Sequence, residues 1–182
     1  MKVEATILPE VLLVTRNQYD DHRGWFTELY NAAELKSTGF DVSFVQDNLS
    51  YSKAGVIRGL HYQVNPAQGK LVTCLTGRIL DVAVDIRYGS NTFGQHVAVE
   101  LGDGLGRSLW IPAGFAHGFA VLGKESAAVL YKVDQHRSAQ GEGGILWSDP
   151  DLAIPWSITG AIVSERDAAL PTFAEYRSNQ LK

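Results

Sequence analysis

Between Lys70 and Val133 the chain reads as a succession of short β-type runs, each cut off by turn residues. Lys70–Leu75 leads into Thr76-Gly77. Arg78–Arg87 alternates, with Leu80, Val82, Val84 and Ile86 on one face and Asp81, Asp85 and Arg87 on the other, and stops at Tyr88-Gly89-Ser90-Asn91. His96–Leu101 alternates again and runs into Gly102-Asp103-Gly104-Leu105-Gly106, which reads as a hairpin loop. Leu109–Ile111 ends at Pro112-Ala113-Gly114, and Ala127–Val133 is a further strand. Many short strands with frequent turns imply a sandwich or jelly roll and exclude an alternating βαβ sheet. The 18 glycines suit a fold with many tight turns.

Helix is scarce. Asn31–Lys36 reads as one short helix capped by Asn31, and Ser164 caps a second piece over Glu165-Arg166-Asp167. At 182 residues, with 45% hydrophobic and 20% charged residues, the chain has the profile of one globular domain over residues 1–182. The single cysteine, Cys74, allows no intrachain disulfide. The first residues carry no apolar core of a secretory signal, and no apolar run reaches the length of a membrane helix, so a cytoplasmic address is expected. The formal net charge of −4 argues against nucleic acid as the partner. Yet no acidic residue occurs from Asn48 to Leu80, a stretch holding Lys53, Arg58, Lys70 and Arg78, which invites an anion if these residues converge.

The densest chemistry lies in Gly55–Gln63. In a regular strand Arg58 and His61 point to opposite faces. A bulge at Gly59 would turn both toward one cavity. His117 sits in Ile111–Phe119 behind a rigid Pro-Ala-Gly turn, where a ring that fills space and bonds a backbone carbonyl is the structural reading. The histidines are poorly spaced for zinc or iron, since His61 is followed by Tyr62-Gln63 and no acid occurs before Asp81. No Gly-x-Ser-x-Gly elbow and no strand-to-helix Gly-x-Gly-x-x-Gly loop occurs either. What remains is proton transfer by histidine, lysine, tyrosine and aspartate, with arginines for an anion.

Eight blocks in order then carry a resemblance: Asp21–Glu28, Phe44–Ser50, Gly55–Gln63, Gln68–Val72, Asp81–Arg87, Trp110–Phe119, Tyr131-Lys132 and Ser164–Asp167. Together they resemble the dTDP-4-dehydrorhamnose 3,5-epimerase family of deoxysugar biosynthesis, over nearly the whole chain. The resemblance implies an all-β, cupin-type jelly-roll sandwich with a few short flanking helices, a homodimer, no cofactor, no metal, no nucleic acid or membrane partner, and a nucleotide-sugar substrate. It implies His61 as the base, Tyr131 as the acid on the opposite face, Asp167 as the residue orienting His61, and Lys70 beside the enolate oxygen. It further implies substrate contacts from Arg23, Glu28, Gln46, Asp47, Asn48, Arg58, His117, Glu142 and Arg166.

Chemistry makes the same demands. A proton next to a ketone is too weakly acidic for imidazole unless the enolate is stabilised, and inversion needs a proton donor opposite the base. One departure stands out: where the family carries a base-stacking aromatic, this chain has His136 and Arg137. Single-centre epimerases of the same family, a metal-dependent cupin and a non-catalytic sugar-binding cupin are the rival readings. For dimer contacts, Thr6-Ile7-Leu8 and Phe44-Val45-Gln46 are the expected crossing segments.

Overall fold

The computed structural model describes residues 1–180; Leu181 and Lys182, the last two residues of the expected domain, lie outside the described residues. Among the described residues, thirteen strands and three short helices follow one another. The first strands are β1 (Lys2–Ala5), β2 (Leu12–Thr15), β3 (Gln18–Asp21) and β4 (Gly24–Thr27), followed by α1 (Ala32–Ser37). The body comprises β5 (Gln46–Ser52), β6 (Ile57–Gln63), β7 (Lys70–Thr76), β8 (Arg78–Asp85) and β9 (His96–Gly102). It continues with β10 (Arg107–Ile111), β11 (Phe115–Val121), β12 (Ala127–Val133) and β13 (Glu142–Gly144). Helices α2 (Glu165–Ala168) and α3 (Phe173–Asn179) come last.

The strands form the expected jelly-roll sandwich. One sheet has the order β1-β2-β10-β7-β12-β5, the other β13-β6-β11-β8-β9, and β3 and β4 make a separate hairpin. All pairings within these sheets are antiparallel. The Gly102–Gly106 segment departs from the hairpin expectation. It joins β9 to β10, which belong to different sheets, so it is a crossing between layers.

Three apolar clusters hold the layers. Val72, Cys74, Ile79, Ala83, Leu109, Phe119 and Val129 fill the space between the sheets, closed by Leu8 and Val11. Leu60, Val82, Val84 and Ile86 pack away from that interior, against Ile145, Leu152, Trp156, Phe173 and Tyr176 of the C-terminal segment. Leu71 and Trp110 pack on the far side of the other sheet with Leu35 of α1 and Phe40. A fully buried leucine or phenylalanine contributes roughly 1.5–3 kcal/mol relative to exposure.

This arrangement gives the alternation of β8 its meaning. The apolar face of Val82, Val84 and Ile86 lies beneath the C-terminal segment, while the face holding Ile79, Asp81 and Ala83 points into the space between the sheets. Asp81 is therefore completely buried.

Local signals account for the helices. The Asn31 side chain accepts from the Glu34 backbone N–H at 3.1 Å, and the Ser164 hydroxyl accepts from that of Asp167 at 3.1 Å. Helix α3, absent from the sequence reading, carries a capping box between Thr172 and Glu175. The amino-terminal strand lies at Lys2–Ala5, just ahead of the expected crossing segment Thr6-Ile7-Leu8, which is not a strand. Thr6 turns the chain, its backbone N–H donating to the Val11 carbonyl, and Leu8 enters the core.

Candidate active site

Strand β6 pairs with β11 so that His61 faces His117 and Arg58 faces Phe119. Three steps on β6 thus answer two on β11. The extra residue is the expected bulge, and it turns Arg58 and His61 toward the same cavity. Glycine is required here for space. Gly59 has φ of +119°, and a Cβ on it would stand 2.5 Å from the Cα of Gly118 and 2.7 Å from the His117 carbonyl oxygen.

The cavity measures about 340 Å³ and opens between the sheets. His61, Arg58 and Tyr62 come from β6 and His117 from β11; Lys70 comes from β7, Tyr131 and Val133 from β12, and Gln46, Asn48 and Ser50 from β5. Lys70 is the cross-strand partner of Val133, and Val72 that of Tyr131, so Lys70 and Tyr131 share the inward face. The rim holds Gln63, Gln68, Arg137, Glu142, Gly143 and Arg166.

His61 is tied down from behind. Its Nε2–H donates to Asp167 Oδ1 at 2.8 Å, and the other carboxylate oxygen accepts from the Gly59 backbone N–H at 3.1 Å. Asp167 is buried, and α2 holds it in place through the Ser164 cap. With Nε2 engaged, Nδ1 is left as the free basic nitrogen. Burial pushes the His61 pKa below 6.5, against the opposing pull of Asp167. The imidazole is therefore neutral at pH 7 and ready to accept a proton.

Lys70 Nζ lies 3.5 Å from the His61 carbonyl oxygen. Burial brings its ammonium down to about 8, against the attraction of Asp81, Glu142 and Asp134. Among the described residues His117 meets no backbone carbonyl; its Nε2 meets Asp81 Oδ1 at 2.7 Å. Burial drives the Asp81 carboxyl upward, His117 and Lys70 pull it down, and its Oδ2 has no hydrogen-bond partner among the described residues. The Tyr131 hydroxyl lies 2.9 Å from Ser50 Oγ, and burial raises the phenol's pKa, so it stays protonated.

At the mouth, Glu142 bridges two arginines. Arg137 Nε donates to Oε1 at 2.6 Å, and Arg137 Nη2 and Arg166 Nη2 each donate to Oε2 at 3.1 Å. Arg137 beside it, then Arg166, holds the Glu142 carboxyl down near 2, so it is ionised. Of the two residues at the departed aromatic position, Arg137 lines the cavity; the backbone carbonyl of His136 accepts from Gln63 Nε2 at 3.1 Å.

Three expected contacts stand outside this chain's cavity. Arg23 pairs with Asp21 at the tip of the β3–β4 hairpin, and Glu28 accepts from the Asn31 side chain at 3.3 Å. Asp47 points outward from β5, between Gln46 and Asn48, and accepts from Lys132 Nζ at 2.8 and 2.9 Å. Sequence reading did not single out Ser50, Tyr62, Gln63, Gln68 or Asp81. Asp81 carried a signal, an acid in the middle of an apolar strand. Among the described residues, no group of three or more histidine, cysteine, aspartate or glutamate side chains is gathered as a metal site.

The family described as dTDP-4-dehydrorhamnose 3,5-epimerase matches residues 5–175. The chain belongs to the dTDP-4-dehydrorhamnose 3,5-epimerase family. A dTDP-4-dehydrorhamnose 3,5-epimerase of Pseudomonas aeruginosa is 47% identical over 177 residues, covering 96% of this chain and 97% of its own. The crystal structure of a 3,5-epimerase from Legionella pneumophila, in complex with dTDP-4-keto-L-rhamnose, matches with a TM-score of 0.90 at 42% identity, over 96% of each chain. A dTDP-4-dehydrorhamnose 3,5-epimerase from Bacillus anthracis with TDP and PPi bound matches with a TM-score of 0.90 at 46% identity, over 94% of this chain and 99% of that one. The sandwich described above is thus the cupin-type jelly roll of the dTDP-4-dehydrorhamnose 3,5-epimerases.

Proposed function

We propose that this chain converts dTDP-4-dehydro-6-deoxy-D-glucose to dTDP-4-dehydro-L-rhamnose by inverting C3 and C5. The observation that carries this reading is the pairing of a neutral, aspartate-backed His61 with a protonated Tyr131 in one cavity, each from a different sheet.

In each half of the reaction His61 Nδ1 takes the proton next to the 4-keto group. The C–H electron pair becomes the enolate, whose oxygen is held by the Lys70 ammonium. A preorganised cation there is the largest single contribution to lowering such a barrier. Tyr131 then gives its proton to the same carbon from the opposite face. Asp167 keeps His61 in the tautomer that accepts at Nδ1. The chemistry is redox-neutral, so no electron carrier takes part; in each half His61 gains one proton and Tyr131 gives one up, and exchange with solvent resets both groups before the next.

Arg58 and Arg166 suit the diphosphate, being planar donors near the mouth. Gln46, Asn48, His117 and Glu142 supply polar contacts to the nucleotide-sugar. Arg23 and Glu28 enter this reading through a homodimer, in which the β3–β4 hairpin of one protomer reaches its partner. The exposed apolar side chains favour that surface. Tyr19 and Phe26 on the hairpin are 63% and 66% exposed, and Leu49 and Tyr51 on edge strand β5 are 66% and 69% exposed. Phe44, by contrast, stacks on Phe40 and meets Trp110 edge-on within its own chain. We also propose that the chain works as a single domain at a cytoplasmic address. No described helix is long and apolar enough to cross a membrane.

The deciding experiment incubates the purified protein with the 4-keto sugar nucleotide in deuterated water and reads mass and NMR. Two deuterated, inverted centres are expected. One such centre would replace the reading with a single-centre epimerase, and no exchange would overturn it.

A further inference from the structure

Strand β5 has an inverted pattern. It is an edge strand, yet its inward residues Gln46, Asn48, Ser50 and Ser52 are all polar, while Leu49 and Tyr51 face outward. Three of the inward side chains hold hydrogen bonds that order the wall. Gln46 Nε2 donates to Asn48 Oδ1 at 2.7 Å, and Arg58 Nε donates to Ser52 Oγ at 2.8 Å. The remaining one, Ser50, spends its hydroxyl on the Tyr131 phenol. Val129 is the cross-strand partner of Ser50, and Asn48 that of Tyr131, so Ser50 and Tyr131 are diagonal neighbours on one face.

A phenol that delivers a proton to carbon becomes a phenolate. Tyr131 is partly buried between the sheets, and the desolvation that raises its pKa disfavours that charge. Arg58 acts on the phenolate through its charge alone, its Nε donating to Ser52 Oγ and its Nη2 to the Tyr51 carbonyl oxygen at 3.3 Å. Ser50 is the hydroxyl within reach.

We infer that Ser50 is a positioning residue for the return of the proton: it aims the Tyr131 O–H into the cavity and then holds the phenolate. This rests on the epimerase reading above. In the resting site Ser50 donates its O–H to Tyr131 Oη, which leaves the phenolic hydrogen pointing at the substrate. When the enolate carbon takes that hydrogen, the Tyr131 O–H bond breaks, a C–H bond forms, and the electron pair stays on Oη. Ser50 keeps its own proton and its hydrogen bond becomes charge-assisted. Solvent water later reprotonates the phenolate, and His61 releases the proton it took. Abstraction by His61 precedes these events and does not use Ser50.

The test measures two rates on one sample in deuterated water: wash-in of deuterium and formation of inverted product. Ser50→Ala removes the hydroxyl, and Ser50→Thr keeps it. A hydrogen bond to a charged group is worth about ten- to a hundredfold in rate. Ser50→Ala should therefore cut inversion by about that factor and cut wash-in much less, while Ser50→Thr restores most of the inversion. In a Tyr131→Phe background, Ser50→Ala should change the inversion rate no further, because both substitutions remove one function. Equal loss of wash-in and inversion in Ser50→Ala would overturn the proposal. So would an unchanged ratio, or an undiminished effect in the Tyr131→Phe background. Absence of any wash-in with the parent protein would instead remove the epimerase reading, and this inference with it.

Discussion

Asp167 holds His61 and Gly59 together with its two carboxylate oxygens, one on the imidazole Nε2 and one on a backbone N–H two residues earlier. The same carboxylate thus sets the tautomer of the base and pins the bulge that aims it. A side chain fixed at both its ring and its backbone is preorganised for proton abstraction. Four consequences of this and the neighbouring geometry can be measured.

His61→Asn keeps an amide that can still bond Asp167 but removes the base. Deuterium wash-in and product should both vanish, with an unchanged circular dichroism spectrum and melting temperature. Exchange at the parent rate in this variant would show that another group takes the proton.

Tyr131→Phe keeps the ring between the sheets and removes the phenolic hydroxyl. His61 and Lys70 remain, so the enolate should still form and deuterium should still enter the substrate. Inverted product should fall steeply, because reprotonation then comes mainly from the face that lost the proton. Undiminished inversion would send the search for the acid elsewhere in the cavity.

The pH profile follows from two groups with opposite requirements. His61 must be neutral, and its pKa lies below 6.5, so activity rises with pH along an acid limb below that value. Lys70 must be charged, and its pKa of about 8 means that activity falls as pH passes through that value. The expected profile of kcat/KM is a bell with its alkaline limb near 8. Lys70→Arg should move that limb upward, since a guanidinium keeps its proton. Lys70→Met should lower kcat by about 10²–10³-fold across the profile. An alkaline limb that stays in place in Lys70→Arg would assign it to a different group.

Gly59→Ala tests the bulge. The added Cβ would collide with the backbone of β11 at 2.5 and 2.7 Å, in a φ region that alanine disfavours. A cost of about 1–3 kcal/mol is expected from the backbone conformation alone, more with the collision, read as a lower urea midpoint. Activity should fall further than stability explains, because His61 shifts with the strand. A variant with parent stability would show that β6 and β11 can part at this point.

Much of this was legible in the sequence because it rests on local signals. The alternation of Arg78–Arg87, the strand Ala127–Val133, the Asn31 and Ser164 caps and the bulge at Gly59 are all written in neighbouring residues. What escaped depends on register between distant strands. His117 faces Ala83 across β8 and β11, which places Asp81 diagonally on the same face, and nothing in either segment alone states that offset. The hairpin reading of Gly102–Gly106 failed for the same reason: a turn sequence shows that the chain bends, not which layer it enters. Ser50 was hidden because a serine in an alternating strand is ordinary until its partner strand is known.

The position of Asp167 along the chain links activity to the order in which the molecule is assembled. It stands 106 residues after His61, beyond every strand of both sheets. The segment that delivers it also lays Leu152, Trp156, Phe173 and Tyr176 over the outer face of β8 and β11. A growing chain can therefore build the whole sandwich while His61 still lacks its anchor. Catalytic competence arrives only when this late segment closes over the sheet, so turnover reports on completed docking of the chain beyond β13 and not on formation of the sandwich.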